Sequence, residues 1–274
     1  MEYSVRTVAP YEMGHPGQAV VAALDALGLQ AGMRVLDAGC GAGVHLPLMA
    51  DLVGPGGMVV GLDIDSERVA LARELCQPLM TTCAIELRVG DLHKTPVDAG
   101  SFDLVWSSAV LHHEPAPVET LHHFRSLVRP GGLVAILDGD TGGSFPCLPW
   151  PPELEMRLRE ATLRAQRDEH GGTLDYHFSG YIGRALPRLL RESGLSDVRL
   201  YAVTDVDRTP LHPVREGELR DWFNRYFGRR LGDYLAPVDM QRLLTLVDAG
   251  SPDDLLSDPD FFLARMSFLA VGHA

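Results

Sequence analysis

An α/β fold with a doubly wound, mostly parallel sheet is predicted for this 274-residue chain by three observations. Short apolar runs alternate with stretches of helical periodicity from residue 33 to about 138. Glycine, proline and aspartate punctuate the boundaries, and a glycine-rich loop leads from the first apolar run into the first helical stretch. Strand–helix alternation of this kind implies βαβ units, which set strands in parallel and cover both faces with helices.

The strands follow in order. Met33–Ala38, Met58–Asp63, Ala84–Val89, Phe102–Ser107 and Leu133–Asp138 are short, apolar and rich in Val, Leu and Ile, as strands buried on both faces are. Helices are expected near 43–53, 66–77 and 116–128. Gly54-Pro55-Gly56-Gly57 and Pro130-Gly131-Gly132 each end a helix and open a strand; Ser66 is placed to cap the second helix, and Asp65 is also a candidate for a capping role.

Beyond residue 140 the pattern changes. TGGSFPCLPWPP (141–152) reads as a loop. Glu153–Glu169 then puts Leu154, Leu158, Ala161 and Ala165 on one helical face, stopped by Gly171-Gly172. A helix near 183–193 ends at Gly194, Asp197–Thr204 reads as a sixth strand, and Ala264–Val271 as the last. Residues 214–257 read as helical and carry Trp222, Phe223, Tyr226, Phe227 and Tyr234. The expected organisation is a single domain, its core at about 31–140, 181–210 and 258–274, with a helical cap from about 1–30, 141–180 and 211–257.

Composition narrows the function. Hydrophobic residues make up 46% and charged residues 22%, ordinary globular values. The net charge of −13 opposes binding to a phosphate backbone, so no nucleic-acid partner is expected. Basic residues cluster at 157–167 and 215–230, in amphipathic helices whose charged faces are expected to be solvated. The four cysteines (Cys40, Cys76, Cys83, Cys147) form no C-x-x-C pair, which fits a reducing cytoplasm and suggests no zinc site. The first residues lack the apolar core of a signal peptide, and no apolar run reaches membrane-spanning length.

The strongest signal is VLDAGCGAG at 35–43. Its glycines let the backbone turn tightly and approach a ligand, and the helix that follows offers free N–H groups. A dinucleotide fingerprint would use Gly39, Gly41 and residue 44, but residue 44 is valine. Asp37, inside the motif, would also repel a pyrophosphate. It suits a ligand with positive charge, such as the sulfonium and ammonium of S-adenosylmethionine. Asp63, twenty residues past Gly43, is placed to accept both hydroxyls of a ribose, and Asp91 to accept from an adenine amino group.

VLDAGCGAG, GLDID, VGDL, FDLVWSSAVLHH and LVRPGGLVAI follow one another in the order and spacing of class I S-adenosylmethionine-dependent methyltransferases. The chain resembles the broad ubiquinone/menaquinone-biosynthesis type (methyltransferase type 11), well over 30–140 and more loosely through GRALPRLLRESGLSDVRL (183–200). The resemblance implies a Rossmann-like, seven-stranded sheet of order 3-2-1-4-5-7-6 with the last strand antiparallel. It implies S-adenosylmethionine as cofactor. Asp37, Gly39 and Gly41 would line its methionine end, Asp63 would hold the ribose and Ile64 would pack on the adenine. Asp91 and Leu92 would frame that ring, with Ser107 beside the cofactor. More than forty residues at 211–257 separate what are, in the minimal family pattern, closely joined last strands. A functional insertion or a homodimer contact through the cap would each explain that length.

Methyl transfer from a sulfonium is an in-line displacement that needs no metal, only geometry, water exclusion and, for a hydroxyl or protonated amine, a base. His112 and His113, after the fourth strand, are the candidate bases. Tyr11, His15, Trp150, Tyr176, His177, Trp222 and Tyr226 are the candidate substrate contacts, an aromatic set suited to a small organic acceptor such as a secondary metabolite. Two other functions stay open: a same-fold isomerase or pericyclase that leaves the methyl in place, and a non-catalytic binding protein.

Overall fold

The computed structural model describes residues 18–79, 83–95, 97–139, 145–169 and 181–274. Among them, β1 (Arg34–Ala38), β2 (Met58–Asp63), β3 (Ala84–Val89), β4 (Phe102–Ser108), β5 (Val128–Gly139), β6 (Ser196–Arg208) and β7 (Phe262–His273) form one sheet. Its order is β3-β2-β1-β4-β5-β7-β6. β2 and β4 both run parallel to β1, β3 parallel to β2 and β5 parallel to β4, whereas β7 is antiparallel to β5.

The central strands are apolar throughout because both faces are covered. Leu36, Val60, Leu62, Val105, Val134 and Ile136 join one core cluster, with Leu121 and Phe124 of α4 (Pro117–Leu127) and Leu186, Leu189 and Leu190 of α6 (Ile182–Glu192). Their neighbours Val35, Val59, Leu104, Trp106, Ala135 and Leu137 point the other way. These meet α1 (Gln18–Ala26), α2 (Leu46–Val53) and α3 (Ser66–Cys76) through Leu24, Met49 and Ala72. This is the period-two alternation of a strand, with water on neither side.

Four boundaries differ from expectation for local reasons. α2 starts at Leu46, not residue 43, because Gly39, Gly41 and Gly43 hold φ of 83°, 53° and 78°, a backbone no helix uses. Asp65, not Ser66, caps α3, accepting from the Glu67 and Arg68 amides at 2.9 and 3.2 Å. β5 begins at Val128, so Pro130-Gly131-Gly132 lies within the strand. The β4–β5 register shifts there between Phe102 and Leu104, as at a bulge. The stretch 214–257 is broken into α7 (Pro213–Phe223), a π-helical turn (Asn224–Arg229), α8 (Pro237–Leu246) and a 3-10 turn (Leu255–Ser257).

The contacts divide the chain into two compact units. Of the described residues, one unit comprises 148–165 and 207–263, and the other takes the rest. In the smaller unit, Leu154, Leu158, Ala161 and Ala165 of α5 (Pro152–Glu169) are fully buried, as the helical spacing predicted. Its arginines do not simply face solvent. Arg157 reaches Asp239 at 2.8 Å, Arg215 holds Asp207 through two bonds of 2.8 and 2.9 Å, and Arg220 holds Asp254 at 2.6 Å.

Candidate active site

β1 lies between β2 and β4, whose connections leave on opposite sides, so a crevice opens beyond the carboxyl end of β1. The glycine loop occupies it. The Gly39 and Cys40 amides donate to the Leu62 carbonyl at 2.8 and 3.1 Å, which ties the loop to the end of β2. A side chain at Gly39 would collide with Val110 Cγ2. Above Gly41 the space is open: a Cβ there would find only Arg68 Nη1, at 3.9 Å. The loop is therefore packed tightly on one side and leaves a cradle on the other.

Acidic groups surround the cradle. Asp63 accepts from the Gly41 amide at 2.8 Å and, through its other oxygen, from the Asp65 amide at 2.9 Å. A carboxylate has about four lone-pair sites, so capacity is left for two further donors. Ile64, next in sequence, is 71% exposed, a large apolar surface beside that carboxylate. Asp37 is 1% exposed, and neither of its carboxylate oxygens accepts a hydrogen bond. Burial first, and the Asp63 charge second, push its carboxyl up to about 8. An orphaned buried acid, an open glycine cradle and a carboxylate with spare acceptor sites fit a ligand that carries positive charge and vicinal hydroxyls.

Asp91 is already engaged. One oxygen accepts from the His93 amide at 2.8 Å and the other from Lys94 Nζ at 2.8 Å, which holds its carboxyl below the usual range. Leu92 packs against the core behind it. Ser107 is buried and donates through Oγ to the Ala38 carbonyl at 2.9 Å, so its hydroxyl locks the end of β4 to the end of β1.

The catalytic candidates sit on a sharp exit from β4. Ala109 adopts φ 55°, a left-handed conformation that costs a non-glycine residue roughly 1–2 kcal/mol. The Ala109 amide donates to the Leu137 carbonyl of β5 at 2.9 Å, and a 3-10 turn (Leu111–His113) follows with Leu111 fully buried. His112 Nδ1 lies 2.8 Å from Asp138 Oδ1, and its amide donates to Asp138 Oδ2 at 3.2 Å. The Gly139 amide also donates to Asp138, whose side chain is 3% exposed against 30% for His112. Burial disfavours the His112 imidazolium, but the Asp138 hydrogen bond and charge together outweigh it and hold the pKa above the ordinary histidine value. His113, with ring centroids 3.9 Å from His112, is driven the other way by burial and by the His112 charge.

Asp138 escaped the reading of the sequence. Its position at the carboxyl end of β5, after an apolar run, was the available signal. Also unforeseen is His45, which accepts from Trp106 Nε1 at 3.3 Å and which burial pushes down to about 4. Of the substrate candidates, Trp150 is 5% exposed and packs edge-on against Phe223 and Phe227. Trp222 and Tyr226 are half-buried and stack at 5.2 Å. Tyr11, His15, Tyr176 and His177 lie outside the described residues. Among the described residues no group of three or more His, Cys, Asp or Glu is placed to hold a metal ion, and no helix is long and apolar enough to cross a membrane.

Comparison with known proteins shows the family. Residues 29–174 match the model of a methyltransferase-domain family. The chain is 32% identical over 185 residues to an uncharacterized 37.1 kDa protein in transposon TN4556 of Streptomyces fradiae, covering 68% of this chain and 50% of that protein. It is 32% identical over 137 residues to the 27-O-demethylrifamycin SV methyltransferase of Amycolatopsis mediterranei, covering 49% of this chain and 47% of that one. The chain thus matches half or less of the length of these relatives. The fold is similar to that of the YcgJ protein from Bacillus subtilis, with a TM-score of 0.55, 14% identity, and 93% and 97% of the two chains covered. The motifs, the sheet order and the family match agree: the chain belongs to the class I S-adenosylmethionine-dependent methyltransferases.

Proposed function

We propose that this protein transfers the methyl group of S-adenosylmethionine to a small organic acceptor, with His112 as general base and Asp138 as its orienting partner. The His112–Asp138 pair carries the reading. With Nδ1–H donated to the carboxylate, Nε2 keeps its lone pair and can take a proton from an acceptor hydroxyl or amine. A pKa above the ordinary histidine value makes that nitrogen a stronger base.

When bound, S-adenosylmethionine supplies an electrophilic methyl carbon. Asp63 would hold the ribose hydroxyls, with Ile64 against the adenine. Asp91 and Leu92 would form the far wall, the Asp91 backbone being fixed by its own side chain. The open face of Gly41 would admit the ligand, and Gly39 would keep the loop against Val110. Asp37 lies below the loop and would act through its charge, while Ser107 keeps the ends of β1 and β4 together. The stacked pair Trp222 and Tyr226 has the chemistry of an acceptor contact, and Tyr11, His15, Tyr176 and His177 are further candidates from the sequence. Trp150 is packed against Phe223 and Phe227 inside the smaller unit and is not proposed as a contact. Relatives named as a 27-O-demethylrifamycin SV methyltransferase and a nocamycin O-methyltransferase support a small organic acceptor such as a secondary metabolite. Four free thiols fit work in a reducing cytoplasm.

The test is an acceptor screen read by formation of S-adenosylhomocysteine. Turnover that falls about 100-fold or more in His112→Ala supports the assignment, since a positioned base contributes roughly 10²–10⁴. Turnover unchanged in His112→Ala removes the base. Product formation from an acceptor with no release of S-adenosylhomocysteine would move the protein to an isomerase or pericyclase.

A further inference from the structure

A second polar cluster lies behind the site. His93 Nε2 is 2.8 Å from Glu114 Oε2, and Thr120 Oγ1 donates to the same oxygen at 2.9 Å. Thr120 is fully buried and the Glu114 side chain is 18% exposed. These three residues come from three places: the Asp91–Leu92–His93 loop after β3, the residue following the 3-10 turn, and α4.

An apolar contact would join these segments without taking a carboxylate out of water, which is costly. What a polar network adds is one fixed geometry, since each member is satisfied only in a single arrangement. The two segments it joins are the ones assigned different tasks above. Asp91 and Leu92, the proposed adenine wall, directly precede His93. His112 and His113, the proposed bases, directly precede Glu114.

We propose that Glu114, with His93 and Thr120, is a positioning clasp that couples the adenine-facing loop to the turn bearing the base, so that His112 is set by occupancy of the cofactor site. It rests on the cofactor and base assignments of the preceding subsection. Binding that shifts the 91–95 loop is felt at the turn because Glu114 ties the turn to His93, and loss of any member uncouples the two.

The probe is S-adenosylhomocysteine, titrated calorimetrically into wild type, Glu114→Ala, His93→Ala and the double variant. The His112 ring resonances are followed by NMR in the same samples. The expected result has three parts. Each single variant loses affinity by about 3- to 10-fold, the size of one hydrogen bond. The double variant loses no more than Glu114→Ala alone, because that substitution already breaks the His93 contact. The ligand-induced change at His112, present in wild type, disappears. Glu114→Gln, which keeps an oxygen acceptor for Thr120, restores most of the affinity and the response at His112. Full affinity in Glu114→Ala, or a His112 response equal to that of wild type, overturns the clasp while leaving the cofactor site intact. Wild type that fails to bind the probe removes the cofactor assignment, and the clasp with it.

Discussion

Replacing Asp37 by asparagine should stabilise the protein in the absence of ligand, by an amount that grows with pH. The carboxyl is buried without a hydrogen-bond partner, and its folded-state pKa is raised from 3.8 to about 8. A raised acid binds its proton in the folded state where the unfolded chain has released it. Its stabilising contribution is full below about pH 4 and is lost as pH rises through 8. At 1.36 kcal/mol per unit, the cost accumulated by pH 7 is on the order of 4 kcal/mol. Asparagine, close in shape to the protonated acid and neutral in both states, does not incur it. His45 titrates in the opposite sense. Its folded pKa is lowered to about 4, so its contribution is present above about pH 6.5 and lost as pH falls towards 4. Both proteins share that slope, and it cancels in the difference. Urea unfolding followed by tryptophan fluorescence at pH 5, 6, 7 and 8 gives the comparison. Asp37→Asn should gain on wild type by about 1.4 kcal/mol per pH unit and level off above pH 8. A difference independent of pH would show that Asp37 is ionised in the folded protein, and the account of its burial would fail.

Cofactor binding should reverse that protonation. At pH 7, calorimetry in buffers of different ionisation enthalpy should show about one proton released on binding S-adenosylmethionine, and none in Asp37→Asn. Asp63→Ala should weaken cofactor binding by about 1–3 kcal/mol, read by the same titration, with unchanged affinity in a folded variant removing Asp63 from the site. Once an acceptor is found, Asp138→Asn should lower the pH at which the rate falls off on the acid side, because the carboxylate that raises the His112 pKa is gone; an unshifted profile counts against the pair. In the smaller unit, Asp254→Ala should cost about 3–5 kcal/mol in a thermal or urea melt. It strips Arg220 of its buried partner and the Leu256 amide and Ser257 hydroxyl of their acceptor. Stability within 1 kcal/mol of wild type would make that network marginal.

The glycine loop and strand ends of the candidate cofactor site were legible because they are local. Gly39, Gly41 and Gly43 announce a backbone with positive φ, and the acids at 37, 63 and 91 stand at the ends of strands that patterning alone identifies. Where local signals compete, the sequence misled. Ser66 and Asp65 are both good caps, and only the approach of the Glu67 and Arg68 amides to Asp65 separates them. Pro130-Gly131-Gly132 has the composition of a turn, yet β4 pairs with the chain on both sides of it, which makes it an irregularity within a strand. Trp150, read as a substrate contact, has the chemistry of one, but its ring lies in an aromatic core with Phe223 and Phe227.

By itself the sequence determined the strand–helix alternation, the glycine loop and the family, because periodicity and backbone permissiveness are properties of neighbouring residues. The tertiary structure decided which side chains act on one another. His112 and Asp138 are 26 residues apart, and only the parallel pairing of β4 with β5 sets their chain exits side by side. Asp37 and Glu114 differ from the chain's other acids through surroundings alone. One is buried with no donor, and the other is held between a histidine and a threonine from separate segments. A carboxylate's affinity for a proton and its hold on a partner depend on solvent exclusion and distance, and both are set when the sheet and its covering helices close around it.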